Sequence, residues 1–514
     1  MKNKFYEKVL KKQYLILFFY CLVFSISYTQ FPLYYGNQNT YFIHGLADAN
    51  HEALKEDLLY KSPDPFPVFS QLVKLVSTVN SGLFYFFHFI LSATYLTSLI
   101  GIIRYLFNFK FNDISYHLSI ILIIIVHSHL LARVSSRLFN YNLKNIFTVG
   151  FAEQEVLGHV FQPSAFGVLF ILAIFLLIKR YNFLALLLII ITPLFHSTYF
   201  LSAIILSLII LLKLKSARHF LFFLIFSAIL WSPYIFYILY NFSPTTLDSM
   251  KIASDILVHK RVPHHADIRY WFDFDSLVRT FIILAGILVV RKKQDLFQIL
   301  LISSSVCFFF MIIQYFIQNN QLALLFPWRL SVWILPITSV IFLTWIFHQL
   351  YELLWHYKYL QKTILYVFLI TVFISLLWGS KSILKNYKIR RDLEDMSLFS
   401  YIAASKPESP HFLINTTFEN FRLTTFVPVY VDRKSHPYKD KDIIEWYKRL
   451  QLAELIYNSK FDSTALELLT RLCDEQNITH CLFSGNVELT NAEQFELIHQ
   501  DSIYKIYTYQ RKNR

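Results

Sequence analysis

Residues 44 to 57 read HGLADANHEALKED, a stretch in which His44, Asp48, His51, Glu52, Lys55, Glu56 and Asp57 can each carry charge, move a proton or hold an ion. Carboxylates and imidazoles at this density suit general acid–base chemistry or metal ligation. On a helix, at 100° per residue, His44, Asp48, His51, Glu52 and Lys55 share one stripe, with Leu46, Ala53 and Leu54 roughly opposite. That stripe is either a solvated face or, through His44, Asp48 and His51, a site for a divalent cation, although strict H-E-x-x-H spacing is missing. Asp57 falls on the apolar side, near Asn50, Ala53 and Leu54. A carboxylate there is paired, protonated, or turned to a cleft where it serves as general base; otherwise the helix ends and it meets water.

Further titratable groups recur at the ends of apolar runs. GFAEQEVLGHVFQPSAFG (150–167) carries Glu153, Glu155, His159 and Gln162, and HKRVPHHADIRYW (259–271) carries His259, Lys260, Arg261, His264 and His265. His196 stands in PLFHSTY, and Arg329 stands in LLFPWRLSVW. Ionisable residues at or within membrane spans mark a pathway or a site. A guanidinium fork at Arg329 matches the oxygens of a lipid phosphate, with interfacial snorkelling beside Trp328 as its plain alternative. Glu153 and Glu155 are the candidates for holding a divalent metal ion.

These residues need a scaffold, and the composition names its class. The chain has 514 residues, is 55% hydrophobic and 18% aromatic, and holds only 10 glycines. Its mean hydropathy is +0.44. A soluble domain cannot hide so much apolar surface, so repeated membrane spans are expected. The net charge of +14 is not a nucleic-acid signature, because the basic residues sit in short clusters between apolar runs. The four cysteines show no zinc spacing, and the amino terminus reads as an uncleaved signal anchor.

Apolar segments near 14–30, 82–103, 116–132, 164–178, 183–194, 200–212, 219–240, 277–290, 297–317, 330–348 and 363–379 predict about eleven spans. The short pair at 183–212 reads equally as two helices, one broken pair or one long helix. Basic clusters at Lys2 to Lys12, Arg104 with Lys110, Lys179-Arg180, Lys213 to Arg218 and Arg291 to Lys293 put the amino terminus in the cytoplasm. The outer loops are then 31–81, 133–163, 241–276 and 318–329. The basic run Lys381 to Arg391 disagrees, and five consistent loops outweigh it. From 392 the pattern becomes that of a small α/β domain: helices over 440–458 and 463–476, and strands at HFLI, FVPVYVD, THCLFS and IYKIYTY. Outside the cytoplasm, Cys473 and Cys481 could pair as a disulfide or stay as two core thiols.

A cytoplasmic start, a first span, an acidic outer loop, about eleven spans and an outer α/β tail resemble the polytopic C-class (GT-C) glycosyltransferases. GLADANHEALKEDLLYKSPDPFPVFSQLV, FQPSAFGVL, PLFHSTY, RVPHHADIRYW and FRLTTFVPVYVDRKSHPYKDKDIIEWYKR are similar to a bacterial family of polytopic membrane proteins. The resemblance implies a mainly α GT-C-like membrane domain over 1–391 and an extracytoplasmic α/β domain over 392–514, in the bacterial inner membrane. It implies transfer of a sugar from a polyprenyl-phosphate carrier at the outer face, in envelope glycan or glycoprotein assembly. The membrane lipid and the lipid-linked sugar are its partners. The catalytic carboxylate of the first outer loop is matched best by Glu56-Asp57 and next by Asp48. Gln162, His196, His264, His265 and Arg329 are the substrate-binding candidates. A transporter or flippase for a lipid-linked glycan, or a non-catalytic membrane scaffold, would use the same residues differently.

Overall fold

The structure is a computed structural model that describes the whole chain except residues 1, 213–216, 355–357, 395, 406, 408, 460, 462, 490, 491 and 512–514. Lys213 and Lys215 of one basic cluster lie outside the described residues. Helix dominates, as expected where a chain must satisfy its backbone without water. Among the described residues five helices are long and apolar enough to cross a bilayer: Leu83–Leu106, Phe220–Phe242, Gln294–Ile317, Asn320–Leu353 and Lys362–Glu394. A sixth follows if Ile114–His127 and His129–Phe139, bent by 59° at Ser128, count as one span. A 24-residue helix rises about 36 Å, enough for the ~30 Å hydrocarbon core.

Burial decides what solvent these helices need. Only 17% of the most apolar stretch of Phe220–Phe242 is buried, and 11% of that of Lys362–Glu394. So much uncovered apolar surface calls for lipid, and the chain is a membrane protein. The segments expected to cross near 164–178, 183–194 and 200–212 form the shorter apolar helices Pro163–Ile178, Asn182–Phe195 and Ser197–Leu211. The first helix, Lys2–Tyr28, and Phe274–Val289 complete the set of apolar segments read as spans.

Two units make up the chain, each gathered from separate stretches of sequence. The first comprises Met1–Phe31, Tyr85–Tyr234 and Leu257–Lys385. Two glycines let its helices meet closely: a Cβ on Gly286 would stand 2.6 Å from the Thr338 backbone oxygen, and one on Gly379 would stand 2.3 Å from that of Ile26. Small residues at helix crossings are how membrane helices gain van der Waals contact. Three turns that the charge pattern assigns to one side gather together: Arg180 pairs with Asp295 at 2.9 Å, and Lys179 and Lys293 lie over the Tyr105 ring.

The second unit comprises Pro32–Phe84, Ile235–Ile256 and Asn386–Arg514. Its sheet holds β1 (Phe412–Leu413), β2 (His480–Ser484), β3 (Phe495–Gln500) and β4 (Tyr504–Tyr509), ordered β1-β2-β4-β3. β1 runs parallel to β2, and the other pairs are antiparallel. Leu398, Phe399, Phe412, Phe421, Val429, Leu482 and Ile506 belong to one buried core cluster. Helices Asp440–Tyr457 and Ser463–Gln476 stand where the amphipathic spacing puts them. FVPVYVD does not become a strand; Val429 only bridges Phe412, and Pro428 contributes no N–H to a ladder. The segment from the third outer loop is tied in by Thr245, whose N–H and hydroxyl both donate to Asp440, at 2.6 and 2.8 Å.

Candidate functional site

The stripe read from residues 44–57 is broken by the backbone. Helix Ile43–Ala49 ends at Asn50 (φ −143°), and Glu52–Glu56 is a separate 3-10 turn. Asp48 is exposed and accepts the Tyr60 hydroxyl at 2.7 Å. Glu56 is exposed and bound to Lys61 at 2.6 Å, and that hydrogen bond holds its carboxyl below the ordinary carboxylate range. His51 stacks on Phe426 with ring centres 3.6 Å apart. Among the described residues no three His, Cys, Asp or Glu side chains converge to hold a metal ion, here or around Glu153 and Glu155.

Asp57 is fully buried. It caps helix Leu58–Lys61 by accepting the Leu59 N–H at 3.0 Å. Its other oxygen accepts Arg422 Nε at 2.8 Å and the Val429 N–H at 3.0 Å. Arg422, itself buried, reaches Asp432 with Nη1, and Asp432 accepts the Ser435 N–H at 2.7 Å. The side chain proposed as the base is thus one arm of an enclosed carboxylate–guanidinium–carboxylate triad, the paired outcome among those open to an apolar-side carboxylate. It lies within the second unit and ties the first outer loop to the tail.

The first unit builds a different constellation on the loop after Thr148. Val149 and Glu155 form an antiparallel bridge, with the Gly150 N–H donating to the Gln154 carbonyl at 2.7 Å. Gly150 lies against Ser331, whose hydroxyl accepts the Phe151 N–H at 2.8 Å; a Cβ there would stand 2.4 Å from that oxygen. Ala152 and Glu153 both adopt left-handed backbone (φ 57° and 54°), a strain of about 1–3 kcal/mol per residue that functional loops often hold. Glu153 and Glu155 line one cavity of about 340 Å³, while Gln154 between them bonds elsewhere. Facing them in that cavity are Lys144, His129, His159, Asp273, Asp275 and Arg279, with Trp271 in the wall.

Lys144 is 2% exposed and lies 3.9 Å from Glu155, with its ammonium 4.7 Å from the centre of the Tyr28 ring. Burial pushes the Glu155 carboxyl up and the Lys144 amine down, and their mutual attraction only partly offsets it. The same burial, with Lys144 adding to it, takes His159 down to about 3, so this imidazole is neutral. His159 is held by the Thr29 carbonyl at 3.1 Å and stacks on Phe31. Buried polar atoms of Trp271 (Nε1), Arg279 (Nε), Asn142 (Oδ1) and His129 (Nε2) have no hydrogen-bond partner in the structure. A cavity that holds a carboxyl–amine pair shifted by burial, together with unsatisfied donors, is equipped to bind a polar molecule and move a proton on it.

Arg329 heads a second cluster. Its Nε donates to Gln154 Oε1 at 3.0 Å, and its Nη1 meets His196 Nε2 at 3.1 Å and the Thr198 hydroxyl. Burial and the adjacent guanidinium hold His196 well below its ordinary value, so it adds no second positive charge. Tyr199, under the Arg329 guanidinium, donates its hydroxyl to the Ser164 carbonyl at 2.6 Å, and Gln162 donates to the Ser164 hydroxyl at 2.8 Å. His265 contacts the Ala152 carbonyl at 2.7 Å, its own carbonyl takes the Trp328 indole N–H, and the tilted His264 ring lies beside it with ring centres 4.0 Å apart. So Gln162, His196, His264, His265 and Arg329, drawn from four stretches of chain, share one neighbourhood. Among the described residues no carboxylate lies within ion-pair distance of Arg329, and the buried Gln154 amide nitrogen has no partner. A guanidinium whose hydrogen-bond acceptors are all neutral keeps its positive charge for an anion.

A known family matches part of the tail. Residues 394–453 are similar to a family described as a domain of unknown function (DUF6798). No curated protein matches the chain. The matched stretch contains Arg422 and Val429, which bond Asp57, and Asp432, which pairs with Arg422, so the similarity falls on the core of the second unit.

The sequence reading missed Lys144, Arg279 and Trp271. Lys144 had a signal: it is the lone lysine or arginine between Arg137 and Lys179, on a predicted outer loop where basic residues are scarce. Its electrostatic role yields a first prediction. Burial raises the Glu155 carboxyl above its ordinary value and Lys144 works against that rise, so Lys144→Met should move its titration to higher pH. A Glu155 carboxyl band, followed by infrared difference spectroscopy against pH, that stays in place or moves down contradicts the pairing.

Proposed function

We propose that this chain is a GT-C-like membrane glycosyltransferase that takes a sugar from a polyprenyl-phosphate carrier, and that its chemistry is housed in the first unit. In this reading the protein crosses the inner membrane about eleven times, with the amino terminus in the cytoplasm and the second unit outside. Support comes from the makeup of the second unit, which is assembled from the first and third outer loops and the tail, segments that the charge pattern puts on one side.

The observation that carries the reading is one loop, Val149–Glu155, that serves both a proton-accepting cavity and an anion-holding arginine. Glu155 takes the proton from an acceptor hydroxyl, and that oxygen forms the new bond to the anomeric carbon. The bond from the anomeric carbon to the phosphate oxygen breaks, and the departing polyprenyl phosphate is held by Arg329, Thr198 and the Gln154 amide. Lys144 keeps Glu155 poised, and His129, Trp271 and Arg279 offer hydrogen bonds to sugar hydroxyls. Asp57 and Arg422 hold the outer unit together.

Purified protein given a polyprenyl-phosphate-linked sugar and a glycan acceptor should release free polyprenyl phosphate in step with acceptor elongation. A transporter is the second reading, favoured by the 59° bend at Ser128, which breaks a span beside His129 at the cavity wall. In sealed vesicles that reading gives movement of intact donor between leaflets with no cleavage.

A further inference from the structure

Cys473 and Cys481 are both buried, at 1% and 0% exposure, and their sulfurs lie 3.8 Å apart. Cys473 sits near the end of helix Ser463–Gln476, and Cys481 sits in β2, the strand bonded to both β1 and β4. The intervening chain folds back through Asn477 in left-handed backbone, and the Ile478 N–H donates to the Cys473 carbonyl at 3.1 Å. The other two cysteines, Cys21 and Cys307, belong to the first unit. Two thiols at van der Waals contact need only small side-chain rotations to reach the ~2.05 Å of a sulfur–sulfur bond.

We infer that Cys473 and Cys481 are joined by a disulfide in the assembled protein, fastening this helix to the centre of the sheet. The inference rests on the reading that places the second unit outside the cytoplasm, where disulfides persist. In the reaction two S–H bonds break and one S–S bond forms. The two electrons and two protons pass to the disulfide of an exchange partner, which becomes a dithiol. Burial then shields the bond from reductant in the folded state.

The test uses the full chain, purified without reductant and denatured in the presence of an alkylating reagent. The expected result is alkylation of Cys21 and Cys307 alone, with a linked Cys473–Cys481 peptide pair lighter by two hydrogens and labelling of all four after reduction. A reductant able to reach the bond should also lower the melting temperature by about 5–10 °C, the shift expected for closing so short a loop. Alkylation of all four cysteines without reduction overturns the inference. A reporter fused at residue 514 separates the two grounds of failure: an outer reporter with free thiols defeats the disulfide alone, and a cytoplasmic reporter defeats the topology with it.

Discussion

Glu155→Gln should lower glycosyl transfer by about 10²–10⁴-fold, the usual contribution of a positioned general base. The substitution keeps the shape of the side chain and its hydrogen-bonding capacity and removes only the ability to accept the proton. Its effect on stability should be small, because burial already disfavours the charged form of Glu155 and Lys144 keeps its contact with the Tyr28 ring. Glu56→Gln is the matched control. That residue is exposed and paired only with Lys61, and surface pairs contribute about 0–1 kcal/mol, so transfer and melting should both stay near wild type. Wild-type transfer by Glu155→Gln, measured as release of polyprenyl phosphate, would remove the cavity from the mechanism.

Arg422→Met should destabilise the second unit by about 3–5 kcal/mol, since it leaves two buried carboxylates without their shared cation. For a unit of this size that corresponds to a fall in melting temperature of about 2–4 °C per kcal/mol. Replacing all three members by apolar residues, Asp57→Leu with Arg422→Met and Asp432→Leu, should recover most of the loss, because the desolvation of three charges is then avoided. Asp57→Asn separates the two roles open to that carboxylate. A buried tie predicts loss of stability, read by thermal melting and protease resistance of the tail. Loss of transfer at unchanged melting temperature would restore Asp57 as the base.

What could be read in advance followed from local periodicity. Ile443, Trp446, Leu450, Ala453 and Ile456 recur at helical spacing and all are buried on helix Asp440–Tyr457. The strand Phe495–Gln500 escaped notice because FELIHQ shows little alternation, as suits a strand at the sheet edge. The polar residues of the site stood out for a similar reason: His196 and Arg329 interrupt apolar sequence. Their contact could not be read, since they are 133 positions apart. The pairing of Asp57 with Arg422 spans 365 positions, and helical phase gave the carboxylate an apolar side without saying what would neutralise it there. The broken helix at Asn50 defeated the stripe read from His44 to Lys55, because a wheel drawn through it assumes one continuous axis.

Photo-crosslinking with a polyprenyl-phosphate-linked sugar, carrying a diazirine on the sugar ring, tests the placement of the reaction most directly. Labelled peptides should come from the stretches that wall the cavity, those holding His129, residues 142–159 and residues 270–279, and labelling should be outcompeted by unmodified donor. Labelling confined to the second unit, or to the turns around Arg180 and Asp295, would contradict a donor site in the first unit's cavity.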